Sequence, residues 1–206
     1  MYTILLGLTG VLSVASGADF TITEECEDRS SEIRQSFHID TEKILNRCYK
    51  LLLTHSYEYG SIQNFFDQAD VALPGLEFEF SHASSTESKD AATLQAYITQ
   101  RGGCVSYPAI QGPSTTNWQD PLFALERALS NAKEVLQCYN DVYTKAKETN
   151  DGGTTGYIER LLNDRIEIVK KMGGHVTNAK RNGPDGIGVF LLDKFEKWNF
   201  GPAPHG

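Results

Sequence analysis

Apolar side chains recur along this chain at alternating steps of three and four, the spacing that lines one face of an α-helix. Leu45, Cys48, Leu52, His55, Tyr59, Ile62 and Phe66 form the first stripe, predicting a helix of roughly seven turns that starts near His38. Asp67 to Asp70 makes a short turn. A second stripe of Leu73, Leu76, Phe80, Ala83, Glu87, Asp90, Leu94 and Tyr97 predicts a helix from about Leu73 to Gln100, with Pro74 and Gly75 in its first turn. Arg101-Gly102-Gly103 ends it. The stretch from Cys104 to Asn117, with Pro108, Gly112, Pro113 and a Ser-Thr-Thr run, is too rich in turn residues for a helix and too long for an ordinary connection. It reads as a crossover loop.

Beyond the crossover, Leu122, Leu125, Leu129, Ala132, Leu136, Tyr139 and Tyr143 mark a third helix from about Gln119 to Lys147, broken at Asp151-Gly152-Gly153. Ile158, Leu161, Arg165, Ile168 and Met172 mark a fourth that reaches about Lys180, with a bend expected at Gly173-Gly174. Asn182 to Gly186 is a strong stop, followed by a shorter fifth helix over about Ile187 to Trp198. The apolar residues of that helix, Ile187, Val189, Phe190, Leu191, Leu192, Phe195 and Trp198, occupy more than one stripe, which implies burial against other subunits. Short, long and short connections give two hairpins joined by one crossover, whereas cytokine bundles carry two long crossovers. The expected fold is all-α, a four-helix bundle with a short fifth helix.

Glu87 and Asp90 are the two acidic side chains on an otherwise apolar stripe, so both should face the inside of the bundle. A buried carboxylate needs a partner, either a metal ion or a compensating cation, and the choice decides whether the chain is a catalyst.

With 206 residues and 40% hydrophobic content the chain is long enough for one well-filled core and short for two. A formal net charge of -8 without a basic cluster argues against nucleic acid and anionic membranes as partners, while metal cations stay compatible. Residues 1–17 carry no charged side chain; their apolar run ends at Ala15-Ser16-Gly17, a small-residue pattern suited to signal-peptidase cleavage. The segment reads as a secretory signal, although it lacks a positive n-region; a short N-terminal core or anchor segment is the alternative. No other stretch approaches the length needed to span a bilayer. The expected organisation is a signal peptide over 1–17, an extension over 18–37, the bundle over 38–198 and a flexible tail over 199–206.

Secretion permits disulfides, and the four cysteines allow three full pairings. Cys48 and Cys138 fall on or beside apolar seams and are expected as free buried thiols. Cys26 and Cys104 lie outside the helices and are the candidates for a bridge, within or between chains. No C-x-x-C spacing suggests zinc.

Phe66-Asp67 with Asp70-Val71-Ala72-Leu73, then Gln100-Arg101-Gly102-Gly103, Trp118, Leu125-Glu126-Arg127-Ala128-Leu129, Gly174-His175-Val176-Thr177-Asn178 and Leu192-Asp193-Lys194 closely resemble ferritin in order and spacing. The resemblance covers roughly Cys26 to Trp198, and the signal segment and extension resemble the secreted ferritins of insects and related invertebrates. It implies a ferritin-like bundle, a hollow twenty-four-subunit shell and iron stored as ferric mineral. Catalytic ferritin subunits bind two irons with a Glu on the first helix, Glu-x-x-His on the second, a Glu on the third and a Gln on the fourth. Carried onto this chain, those positions read Leu52, Glu87, Asp90, Ala132 and Arg165, and a companion tyrosine is kept as Tyr59. Leu52 and Ala132 offer no ligand atoms. Arg165 puts a permanent positive charge where two cations would bind, so it is expected to neutralise Glu87, Asp90 or both in a buried ion pair. Glu87 and Asp90 remain as residual metal candidates, Asp90 replacing the His as an oxygen ligand.

The carboxylates that nucleate mineral in vertebrate light subunits correspond here to His82, Ser85, Thr86 and Lys89, so that cluster is missing; His82 is a weak ligand candidate. At the family's acidic three-fold channel the chain has Thr155 and Ile158, with Glu159 one residue away as the iron-channel candidate and a surface salt-bridge residue as its alternative reading. The expectation is therefore a non-catalytic, light-chain-like structural subunit of a secreted ferritin, its iron a stored mineral rather than a catalytic centre. Its partners would be heavy-type subunits, further copies of itself and iron ions. A ferroxidase-active diiron subunit using Glu87 and Asp90 is the runner-up, and a secreted interaction bundle that has left iron storage is the third reading.

Overall fold

A computed structural model describes Cys26 and residues 31–107, 109–113, 115–118, 120–183 and 187–200. The expected signal segment, most of the extension and the last six residues of the chain lie outside them. Five helices follow in order, here α1 (Ile39–Asp67), α2 (Pro74–Gln100), α3 (Pro121–Glu148), α4 (Gly152–Asn182) and α5 (Ile187–Phe200). There is no strand among the described residues. Every residue of the predicted α1 stripe is buried, which explains why that helix forms where the periodicity places it.

Two details differ from the sequence expectation. Asp151-Gly152-Gly153 opens α4 instead of merely breaking α3, because Asp151 caps the new helix by accepting from the Thr154 amide at 3.0 Å. On α3 the seam is rotated: Leu125, Ala128, Ala132, Val135, Tyr139 and Val142 are buried, while Leu122, Leu129, Leu136 and Tyr143 sit half-buried at its edge. Those four are spaced by seven, a repeat that drifts around a straight helix.

Side-chain pairs fix the helix directions. Ser56 meets Ser84, and Gln63 meets Glu77, so α1 and α2 are antiparallel. Cys48 meets Cys138 and Glu58 meets Arg127, so α1 and α3 are antiparallel too. Arg165 reaches Glu87 while Lys171 reaches Glu79, which sets α4 antiparallel to α2. Consequently α2 and α3 run parallel, and the crossover must return along the length of the bundle. It starts beside Asn46, which binds the Cys104 carbonyl and the Ser106 amide, and ends where Trp118 donates to Ser61 at 3.2 Å.

Both cysteine pairs are bridged. Cys26–Cys104 ties the extension to the start of the crossover, as the sequence suggested. Cys48–Cys138 is a second disulfide joining α1 to α3 through the core, so the expectation of free thiols there is corrected. The two seams face each other at that level with Cα atoms 5.8 Å apart, within bridging distance. Single-helix periodicity cannot report that distance.

At the other end, α5 caps α2. The N-cap position of α2, Leu73, has no side chain able to accept, and Pro74 follows it. Asp193 on α5 supplies the missing acceptor, taking the Gly75 and Leu76 amides on one oxygen at 2.6 and 3.1 Å. The approach is so close that a Cβ on Gly75 would lie 1.8 Å from the Asp193 carbonyl oxygen. Gly75→Ala is expected to destabilise the chain by about 1–3 kcal/mol, because backbone must shift to relieve the overlap. Thermal unfolding checks it, and an unchanged midpoint would refute the proposed contact.

Candidate functional site

Two apolar clusters fill the bundle. One surrounds the Cys48–Cys138 bridge with Leu45, Leu52, Leu94, Ile98, Tyr139 and Ile158; the other contains Tyr59, Ile62, Phe66, Phe80, Leu125 and Met172. Between them lies a polar layer that each of the four long helices reaches. Its centre is Arg165, 1% exposed. Nη1 donates to Glu87 Oε1 at 2.5 Å, and Nη2 donates to Glu87 Oε2 at 3.2 Å and to Asp90 Oδ2 at 2.7 Å. The guanidinium carbon also stands 5.8 Å from the Tyr139 ring centroid.

Helical spacing brings this about. Glu87 and Asp90 are three apart on α2, so their carboxylates share a face toward α4, and the planar fork of one arginine spans both. Burial opposes the charge on Arg165, but Glu87 and then Asp90 more than offset it, so the guanidinium is held even more firmly protonated than in water. Asp90 shows the opposite balance. Desolvation raises its pKa above the ordinary aspartate value, Arg165 lowers it, and the nearby Glu87 charge adds to the rise. Burial also pushes the Tyr59 and Tyr139 phenols up.

The remaining positions of interest fall at the same level. Leu52 and Ala132 are buried at 0% and 1% exposure and present only hydrocarbon to the layer. Tyr59 turns its hydroxyl to the Ala128 carbonyl at 3.3 Å. Among the described residues no group of three or more His, Cys, Asp or Glu side chains is arranged to hold a metal ion. Glu159 is exposed on α4, six residues before Arg165, and borders a surface groove with Leu136, Tyr143, Leu162 and Ile166. Ile158 is fully buried in the apolar cluster around the Cys48–Cys138 bridge. His82, Ser85 and Lys89 are exposed and Thr86 half-buried.

Sequence reading missed a second buried charge cluster beside the first. Glu58 is 4% exposed; Arg127 Nε donates to both its oxygens at 3.0 Å and Asn131 Nδ2 to one at 2.6 Å. His55, 2% exposed, faces Glu134 at 3.5 Å, and the hydrogen bond from His55 lowers the Glu134 pKa. His55 was legible as a polar residue on the α1 stripe. Glu58 lies one position off it and gave no signal.

A four-helix bundle with one long crossover, a fifth helix and this polar layer is ferritin-like. The comparisons agree: the family model described as "Ferritin-like domain" matches residues 42–182. The chain is 38% identical over 165 residues to a "Ferritin heavy chain" of Echinococcus granulosus, covering 80% of this chain and 95% of that one. It is 35% identical over 175 residues to a "Ferritin" of Pacifastacus leniusculus, covering 84% and 96%, and 33% identical over 165 residues to a "Soma ferritin" of Lymnaea stagnalis, covering 80% and 94%. The chain belongs to the ferritin family, whose members store iron. No helix of the described residues is long and apolar enough to cross a membrane.

Two measurements probe the layer. Arg165→Ala leaves the buried Glu87 and the half-buried Asp90 without their cation and is expected to cost about 3 kcal/mol of unfolding free energy, read from denaturant unfolding. For Asp90 the sign follows from its raised folded pKa: the native state holds that proton more tightly than the unfolded chain, so this contribution is largest at low pH and is lost as pH rises through the raised value. The stability of the parent relative to Asp90→Asn should therefore decline over that range; a rising difference would contradict the assignment.

Proposed function

We propose that this chain is a non-catalytic, light-chain-like subunit of a secreted ferritin. It assembles with heavy-type subunits and further copies of itself into a twenty-four-subunit shell, and the iron it handles is cargo stored as ferric mineral. The observation that carries the reading is Arg165, whose guanidinium fills the space between Glu87 and Asp90 and satisfies both carboxylates. Two iron cations at this level would have to displace a permanent positive charge. Leu52 and Ala132 supply no oxygen to replace what Arg165 takes up. Carboxylates already committed to a buried guanidinium are poor ligands, since freeing them uncovers an unpaired charge.

Two disulfides support passage through an oxidising compartment, in keeping with a signal peptide over 1–17 and an extension over 18–37 ahead of a bundle spanning 38–198. The exposed apolar residues Ile187, Phe190 and Leu191 on α5 support assembly with neighbouring subunits. Glu159 remains the candidate on this chain for a channel admitting iron, on the strength of its exposure and place early in α4.

The test expresses the chain alone and together with a heavy-type subunit, adds ferrous iron under air, and follows oxidation against shell formation. Shells rich in this chain should oxidise iron at the uncatalysed rate, and mixed shells in proportion to their heavy-type content. Rapid oxidation by the chain alone would establish a diiron ferroxidase instead. Failure to enter any shell would favour an interaction protein.

A further inference from the structure

Between α2 and α4, beside the arginine layer, lies a cavity of about 80 Å³. Its apolar walls come from all four long helices: Tyr59 from α1, Phe80 and Ala83 from α2, Ala128 from α3, Ile168 and Met172 from α4. Phe80, Ala128 and Met172 are buried, and the Tyr59 and Phe80 rings tilt at 55° with centroids 6.0 Å apart. Two alanines face the space where longer side chains would close it. The polar groups on its margin are already committed. The Tyr59 hydroxyl donates to the Ala128 carbonyl at 3.3 Å and the Thr86 hydroxyl to the His82 carbonyl at 2.9 Å. Glu87 is held by Arg165, and Glu79 takes Lys171 on one oxygen while the other is covered and presents no surface to the space. A charged guest would lose its hydration without finding an unpaired counter-charge, and a buried water needs about three polar partners. What remains favourable is dispersion contact with aromatic, thioether and aliphatic surface.

We propose that this cavity is a binding site for one small, neutral, apolar molecule, the size of a gas atom or a short hydrocarbon. An engineered core cavity of about 150 Å³ stays dry and admits benzene or xenon. With roughly half that volume, the cavity here takes xenon and rejects an aromatic ring. Occupancy stabilises the folded bundle, because the unfolded chain offers no such enclosure. The site rests on packing alone and does not depend on whether the subunit oxidises iron.

Xenon is the probe. Crystals of the assembled protein pressurised with xenon should show one bound atom per subunit between Phe80 and Met172, and xenon NMR in solution should give a saturable site. Ala83→Leu, which fills the space, should weaken that site at least tenfold, while Ala92→Leu, at an exposed position of the same helix, should leave it unchanged. Ile168→Ala, which enlarges the space, should let benzene bind where the parent excludes it, so the outcome does not hang on one overpacked variant. No xenon in the parent cavity, an ordered water network occupying it, or equal binding by the parent and Ala83→Leu would overturn the proposal.

Discussion

Arg165 is the side chain on which the middle of this bundle depends. Burying a guanidinium is unfavourable, and so is burying a carboxylate beside it; the arrangement is stable because three charge-assisted hydrogen bonds satisfy both at once. The backbones of α2 and α4 meet through long polar side chains more than through interdigitated apolar ones. Alongside the Arg165 contacts, Lys171 binds Glu79, Tyr97 stacks on Tyr157 at 3.7 Å, and the Tyr97 hydroxyl meets Thr154 at 3.0 Å. This seam tolerates a cavity because it is held by directional contacts.

The opposite seam is held differently. Cys48–Cys138 and the Glu58–Arg127–Asn131 cluster connect α1 with α3 on either side of the polar layer. A metal centre built from all four helices would cross-link them through one point. Here the same level carries hydrocarbon from Leu52 and Ala132, an ionic link between α2 and α4, and, one turn from Leu52, a covalent link between α1 and α3. Closing a loop of this length constrains the unfolded chain by about 4–5 kcal/mol in the chain-entropy account. The cross-linking of the four helices is thus distributed over an ionic link, a disulfide and apolar packing.

The ends of the bundle follow the same logic of shared groups. Arg101 donates to Tyr97, Asp151, Thr154 and the Gln35 carbonyl, while Asp151 caps α4. The Gly102-Gly103 turn leaves room for the extension: a Cβ on Gly102, whose φ is +72°, would meet Ser31 and Ile33 within about 3 Å. Asp193 closes the far end by capping α2. The motifs that marked the family in sequence are therefore places where two elements share one polar group or one gap. That is why they are recognisable as short strings while the structural reason lies in residues distant along the chain.

The amino-acid sequence by itself determined the five helices, the single long crossover and the inward face shared by Glu87 and Asp90, because helical periodicity and turn chemistry are local properties; that Arg165 meets them was an expectation from the family resemblance. Tertiary structure alone decided what depends on distances between helices. It joined Cys48 to Cys138 where each stripe read singly suggested a free thiol, rotated the α3 seam toward Ala128 and Val135, and buried Glu58 and Glu79 beside cations from α3 and α4. A residue one step from a stripe has no periodic signature. Its burial is set by the neighbouring helix that covers it, and that neighbour's register is fixed only when all the helices pack together.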